Sequence, residues 1–327
     1  MTPSPSPSPT GPTGMVQATV YYDENGNGQL DPTEDVRLPN VSVSIGSATA
    51  KTQSGTGIAL VQGIPYGAQT VTVQTGSLPP YWQPANPVTI SVPDQGEVRI
   101  PVTLPTGRDL VLKQYVAFGD SITHGDGSSS GTGYPPLLEV SLRGSMGAAW
   151  VANRGASGTT SAEGAERIKR AMDTYKPSHV LVLYGTNDWN FPQCQSPLAS
   201  SCFTIESLRE IIVFIKSRGS LTYLSTLPPV SVNLDRNPWI EQMNTLIKGL
   251  GQEQGVPVVD TYAAFRSAGT LTTLYYDDVH PNDSGYQVLA QTFARALTTG
   301  RTASTTAYTG DDMAFGFTDP TEPLETR

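Results

Sequence analysis

Histidine, cysteine and basic side chains are all scarce in this chain, and each shortage narrows what it can do. Three histidines in 327 residues leave few candidates for any step that needs a base titrating near neutrality. The two cysteines, Cys194 and Cys202, have no histidine nearby and do not make a zinc site. Lys and Arg number 20 against 29 Asp and Glu, a formal net charge of -9. The basic residues are scattered, so the sequence carries no electrostatic footprint for nucleic acid or an anionic membrane. No apolar run approaches the roughly 18 residues of a membrane span. The N-terminus lacks the apolar stretch of a signal peptide, and Met1 opens directly onto a Pro-Ser repeat. That start reads as a piece of a longer secreted polypeptide with further domains. Only 15% of residues are charged, with 32 Gly and 27 Pro. The composition is that of a soluble, loop-rich globular protein rather than a coiled coil or a wholly disordered chain.

The pattern changes three times along the chain. Residues 1–14 are rich in Pro, Ser and Thr without hydrophobic period, which predicts an extended linker. Residues 15–105 hold short β-rich runs, among them "VQATVYY", "VSVSIG", "GIALVQGI" and "EVRIPVTL". They alternate polar and apolar residues between Gly, Pro and Asn, which predicts an all-β sandwich. Residues 106–300 alternate strands and helices. The candidate strands are 115–118, 149–153, 179–184, 221–225 and 256–260; the candidate helices are 135–144, 161–175, 205–218, 239–253 and 285–298. Ile205, Leu208, Ile211, Ile212 and Ile215 recur at spacings of three and four, and Gly219 stands where a helix C′ glycine is favoured. Asn237-Pro238 reads as an N-cap with proline at N1, and Ser284 with Gln287 as a capping box. Alternating units of this length predict a parallel sheet with helices on both faces. Residues 301–327 read as a polar, disordered tail. The short join "TGRD" at 106–109 favours a fixed arrangement of the two domains.

"DENGNGQLDPTE" at 23–34 fits the pattern D-x-[DN]-x-[DN]-G-x5-E without a mismatch. Asp23, Asn25 and Asn27 offer side-chain oxygens, Gln29 its carbonyl, Asp31 a further oxygen and Glu34 a bidentate carboxylate, and calcium takes six to eight such ligands. The flanks read as β rather than helical, and a metal-free Asn/Gly/Asp turn is the competing reading. Together with "LPNVSVSI" and "GIALVQGIPYGAQTVTV", this segment resembles the calcium-stabilised B-repeat domains of bacterial surface adhesins, related to prealbumin-like modules. The resemblance implies a structural calcium ion and a spacer or accessory role. Lys51, the segment's only lysine, lies outside its first strand, so no isopeptide crosslink is expected.

A serine nucleophile needs a base, a group that orients the base, and donors for an oxyanion. The formal G-x-S-x-G at 127–131 follows no strand and is discounted. Ser121, in "FGDSIT", follows the first predicted strand of the parallel sheet, where active sites of open α/β sheets lie; a plain turn is the alternative. His124 sits in the same turn as Ser121 and is badly placed to serve it, and His179 enters a strand and reads as structural. His280, in "DDVHPN", follows the last strand, with Asp277 three residues earlier to orient its ring and Asp278 as the competing orienter. "NRGASGTT" at 153–160 offers a Gly158 amide, and "YGTND" at 184–188 the Asn187 side chain. Trp189 and Phe191 line a pocket or pack a loop. Cys194 and Cys202, close together in a Pro/Ser-rich loop, are expected to pair in an oxidising compartment, free thiols being the alternative.

The four blocks "GDSIT", "NRGASGTT", "YGTND" and "DDVHPN", in this order at strand ends, make residues 113–299 resemble the SGNH family of GDSL-type esterases and lipases. Ile122 stands where the family often has leucine. The resemblance implies a three-layer, flavodoxin-like α/β hydrolase fold and a serine esterase needing no cofactor for catalysis, and the Pro/Ser-rich linker with the adhesin-like segment suggests that it is secreted, in an extracellular polysaccharide-degrading setting. Ser121 would be the nucleophile, His280 the base and Asp277 its partner, with Ser121, Gly158 and Asn187 forming the oxyanion hole. A carbohydrate O-acetylesterase acting on small or polymeric sugar esters is the first expectation. A short-chain carboxylesterase or lysophospholipase-type lipase is the second, and an inactive adhesive or scaffold module the reading of another class.

Overall fold

The computed structural model describes residues 11–195 and 199–300. Most of the expected linker and all of the expected tail lie outside these residues. The first part carries β1 (Thr13–Tyr22), β2 (Ser42–Ile45), β3 (Ala48–Lys51), β4 (Ile58–Pro65), β5 (Gly67–Val73), β6 (Gln83–Pro84), β7 (Val88–Val92) and β8 (Glu97–Thr103). They form two four-stranded sheets, ordered β4-β1-β8-β6 and β3-β2-β5-β7. Alternate residues of β1, Val16, Ala18 and Val20, are buried against Val43, Ile45, Val71 and Ile90 of the other sheet. This is the period of two that strand geometry imposes on a half-buried surface. Thr13 and Gly14 belong to β1, so the linker expected to run through residue 14 ends earlier.

The second part runs β9 (Val111–Gly119), α1 (Ser121–His124), α2 (Tyr134–Met146), β10 (Trp150–Gly155), α3 (Ser161–Tyr175), β11 (Pro177–Leu183), α4 (Thr204–Ser217), β12 (Leu221–Ser225), α5 (Asn237–Gln254), β13 (Val258–Val259), α6 (Thr261–Ser267) and α7 (Asp283–Thr298). Its five strands form one parallel sheet in the order β10-β9-β11-β12-β13. Every residue of β11 is buried, because helices cover both faces of the sheet. The chain leaves β9 to build β10 on one side and then returns to build β11 on the other. The strand order therefore reverses at β9, and the crevice beyond its C-terminal end is the place where such sheets bind ligands.

Local chemistry set several boundaries differently from the sequence pattern. Asn237 lies inside α5, whose N-cap is Arg236. Its side chain instead accepts from Val230 N at 2.9 Å and donates to Val230 O at 3.1 Å, closing the loop before the helix. At α7 the cap is Asn282, which accepts from Gly285 N, so Ser284 is an interior residue and makes no capping box. The chain's capping box is at α3, between Thr160 and Glu163. α1 and α6 span four and seven residues, too few for a hydrophobic period to declare them. Cys194 and Cys202 are joined in a disulfide beneath the loop that leads into α4.

The two parts touch at one end of the parallel sheet. Lys113, near the start of β9, pairs with Glu24 and Asp35. Tyr81 donates to Thr222 O at 2.7 Å and Tyr223 to Pro80 O at 3.3 Å, at the start of β12. Gly107 N donates to Gly219 O at 3.0 Å, tying the "TGRD" join to the turn that precedes β12.

Candidate active site

Ser121 opens α1 two residues beyond the end of β9. The turn is tight because Gly119 has no side chain: a Cβ there would lie 2.1 Å from Thr123 Oγ1 and 2.3 Å from Leu183 O. Asp120 caps the turn by accepting from Ile122 N at 3.0 Å. The hydroxyl so presented meets His280 Nε2 at 2.9 Å. On the other side of the imidazole, Nδ1 lies 2.7 Å from Asp277 Oδ2. The other carboxylate oxygen, Oδ1, accepts from His280 N at 2.8 Å and Val279 N at 2.9 Å. Burial works to raise the Asp277 pKa, but the hydrogen bonds from the His280 ring and from the two amides outweigh it and hold it below the usual carboxylate range. A carboxylate so fixed favours the Nδ1–H tautomer, which leaves the Nε2 lone pair facing Ser121.

Asp278 has a different task. Its Oδ1 accepts from Val232 N and Asn233 N, both at 2.8 Å, and so fastens the loop after β12 to the His280 loop. His124 pairs with Asp126 through Nδ1 at 2.6 Å and makes no bond to Ser121. His179 is buried, stacked on Tyr115 with ring centroids 4.5 Å apart, and bonded to Ser178 Oγ. Burial lowers its pKa to about 3, so it is neutral and structural. The G-x-S-x-G stretch is a loop between α1 and α2, with Ser129 N bonded to Asp283.

The remaining two blocks end β10 and β11. Gly158 has φ of +76°, in the left-handed region that glycine tolerates. Its turn is held by Thr159 Oγ1, which donates to Ala156 O, and by Ala156 N, which donates to Gly119 O at 3.0 Å beside Ser121. Among the described residues nothing accepts from Gly158 N. Asn187 Nδ2 donates to Thr159 O at 2.9 Å, which fixes the amide and leaves its second N–H free to donate. Trp189 packs edge-on against Trp239, with the Arg236 guanidinium 5.7 Å from its ring centroid. Phe191 is exposed and meets Phe203 at 5.6 Å.

Three supporting residues escape a reading by motif. Asp188 is fully buried and accepts from Ser161 N, Ser161 Oγ and Thr204 Oγ1, at 2.9, 2.6 and 2.6 Å. It locks the Asn187 turn onto the starts of α3 and α4. Asn153 donates to His124 O and Thr132 O and accepts from Gly155 N, joining the end of β10 to the Ser121 turn. Asp120 Oδ2 is buried without a partner among the described residues. Burial, with the nearby Asp188 charge, outweighs the Ile122 amide and pushes the Asp120 pKa up to about 7.

That shift has a sign. Folded Asp120 keeps a proton that the unfolded chain has released by about pH 5, so its contribution to stability falls as pH rises toward neutrality. Asp120→Asn keeps an acceptor for the Ile122 amide and removes the titration. Urea unfolding at about pH 5 and about pH 8 should show the wild type losing about 2–3 kcal/mol relative to this variant across that interval. Parallel pH dependence in the two proteins would refute the shift.

At 23–34 the side chains close on one another and on the backbone. Asp23 accepts from the amides of Gly26, Asn27 and Gly28, and Glu34 from those of Glu24 and Asp31. The Asn25 and Asn27 amides both reach Asp31 Oδ2, at 2.7 and 2.9 Å, and Gln29 N donates to Asn27 Oδ1. Among the described residues no group of three or more His, Cys, Asp or Glu is arranged to hold a metal ion, so a cation here would also need amide and carbonyl oxygens. No helix among the described residues is long and apolar enough to cross a membrane.

Comparison with known proteins bears on this constellation. The model of the GDSL-like Lipase/Acylhydrolase family matches residues 117–288. An acetylxylan esterase of Geobacillus stearothermophilus is 29% identical over 209 residues, 55% of this chain and 91% of its own length. A GDSL esterase/lipase of Arabidopsis thaliana is 25% identical over 208 residues, 56% of this chain and 78% of its own length. Among solved structures, the lipase/acylhydrolase from Enterococcus faecalis is similar with a TM-score of 0.48 at 25% identity, over 57% of this chain and 95% of that one.

Proposed function

This chain belongs to the GDSL-like lipase/acylhydrolase family and is a carboxylic ester hydrolase; from that premise we propose that it hydrolyses O-acetyl esters of carbohydrates by a Ser121–His280–Asp277 mechanism. The observation that carries the mechanism is the continuous chain from Ser121 Oγ to His280 Nε2 at 2.9 Å and from His280 Nδ1 to Asp277 at 2.7 Å. Ser121 Oγ attacks the ester carbonyl as His280 Nε2 takes its proton. Asp277 stabilises the imidazolium in place. The oxyanion is received by the N–H groups of Ser121 and Gly158 and by the Asn187 amide. His280 then protonates the departing alcohol. In the second half it deprotonates the water that attacks the acyl-serine, then gives that proton to Ser121 Oγ as the acyl–serine bond breaks and the acid leaves.

The acetylxylan esterase likeness supports the carbohydrate substrate. The likeness to a plant esterase/lipase supports the second reading, a short-chain or lysophospholipase-type esterase. Acetate release from acetylated xylan, set beside cleavage of longer-chain alkyl esters, separates the two. The proposal expects the acetylated polymer to be preferred, and preference for the long acyl esters would overturn it. The disulfide between Cys194 and Cys202 supports an extracellular location, where such bonds persist.

In the first part, the 23–34 loop is proposed as a structural calcium site of a B-repeat-like accessory module. The donor set is hard oxygen, as calcium requires. With calcium bound, Asp23, Asn25, Asn27, Asp31 and Glu34 would supply side-chain oxygens and Gln29 its carbonyl. EDTA should lower the melting temperature of the protein and added calcium should restore it. Identical melting curves with and without chelator would remove the metal from the proposal.

A further inference from the structure

Tyr276 is the most exposed large apolar or aromatic side chain among the described residues, at 74%. Its backbone is nevertheless fixed: Tyr276 N donates to His280 O at 2.8 Å, and Tyr275 bridges to Pro281. The residue that follows it is Asp277, which holds the His280 ring. The ring of Tyr276 makes no hydrogen bond or ring contact among the described residues. A bulky ring on a rigid backbone beside the catalytic pair offers a large contact area at little entropic cost.

Its neighbour is the loop at 125–133. Gly127 lies so close that a Cβ there would stand 2.9 Å from Tyr276 Cβ and 3.1 Å from His280 Cβ. The loop is anchored by Tyr286, which donates to Asp126 O at 2.7 Å, and by Ser129 N, which donates to Asp283 at 2.8 Å. Beyond those anchors Ser129, Ser130 and Thr132 are exposed, with the Ser130 and Thr132 hydroxyls 2.7 Å apart. The Tyr276 backbone and the hydroxyl-bearing loop thus meet at Gly127, next to the base. A sugar ring has the matching halves: a C–H face for the aromatic ring and a hydroxyl rim for the serine loop.

We propose that Tyr276 and the hydroxyls at 129–132 form a sugar-ring subsite that seats the alcohol portion of an acylated carbohydrate against His280. The inference rests on the carbohydrate esterase reading above and names the residues that would give it selectivity. Val232 and Leu234, exposed on the loop that Asp278 fastens to the same rim, raise acyl-chain binding as the rival use of this surface. The hydroxyls of this loop favour the sugar, because the Ser130–Thr132 pair uses only part of its hydrogen-bonding capacity and an acyl chain would cover the rest unpaired.

The test uses the full chain and compares the wild type with Tyr276→Ala and Tyr276→Trp. Each is assayed on acetylated xylo-oligosaccharides, on ethyl acetate, which carries no ring, and on ethyl octanoate. The ratio of kcat/KM for the sugar ester to that for ethyl acetate should fall about five- to tenfold in Tyr276→Ala, chiefly through KM, and return to within about twofold in Tyr276→Trp. An unchanged ratio with the sugar ester still cleaved would overturn the subsite and leave the carbohydrate reading standing. Equal losses on both acetates would overturn it in favour of a role in positioning the His280 loop, and a loss concentrated on ethyl octanoate in favour of an acyl site. A wild type that cleaves ethyl acetate but no acetylated oligosaccharide would defeat the carbohydrate reading and the subsite together.

Discussion

Ser121→Ala removes ester hydrolysis, with kcat falling about 10⁴- to 10⁶-fold. The hydroxyl is the only atom of residue 121 lost, and it is the atom that faces His280 Nε2 at 2.9 Å. Without it the imidazole has no proton to take, and water must attack unassisted by an acyl-enzyme. What remains is the contribution of the oxyanion donors and of substrate binding, which leaves such variants faster than the uncatalysed reaction. The fold has little reason to change, because the Ser121 turn is held by the Asp120 cap and the close approach at Gly119 rather than by the serine hydroxyl. Burst and steady-state kinetics on p-nitrophenyl acetate read the effect directly. A Ser121→Ala protein within tenfold of the wild type would remove Ser121 from the chemistry, and a wild type without turnover above this control would leave the scaffold reading in its place.

Asn187→Ala costs about 10²- to 10³-fold in kcat with little change in KM, since an oxyanion donor acts on charge that develops only in the transition state. The Asn187 amide has one N–H tied to Thr159 O at 2.9 Å, and this tie holds the other in place before substrate arrives. Preorganisation of that kind needs no rearrangement when the carbonyl oxygen turns anionic. The alanine also loosens the Thr159 turn, so a second variant is needed. Asn187→Asp keeps the shape of the side chain, offers no N–H and brings negative charge toward the oxyanion; it should be at least as impaired. An aspartate variant that retains wild-type kcat would exclude the amide as a donor.

The order of the strand-end blocks was legible because each needs a particular residue type at the point where a parallel strand stops. Glycine at 119 permits the turn, histidine at 280 precedes a proline, and a repeating strand-helix pattern locates both. Choosing between Asp277 and Asp278 was harder from sequence, as both stand within three residues of His280. In the fold a loop more than 40 residues away separates them, because its Val232 and Asn233 amides occupy Asp278 while Asp277 meets the His280 ring. Asp188 was invisible for the same reason: its partners, Ser161 and Thr204, are 27 and 16 residues distant, and a buried carboxylate looks like any turn aspartate until they are assembled. The helix caps went astray at Asn237 because the loop residue Val230 claims its side chain, and at Ser284 because Asn282, two residues earlier, supplies the cap of α7. Tyr276 carries no motif at all. Its exposure is a property of the folded rim.

The attachment of the β-rich part to the starts of β9 and β12 has a bearing on traffic. Lys113 is six residues before Gly119 in an extended strand, so the anchor points and the nucleophile are separated by about 20 Å along the sheet. The β-rich part therefore meets the parallel sheet from beneath, at the end opposite Ser121. An ester substrate can reach the mouth above Ser121 without passing the β-rich part.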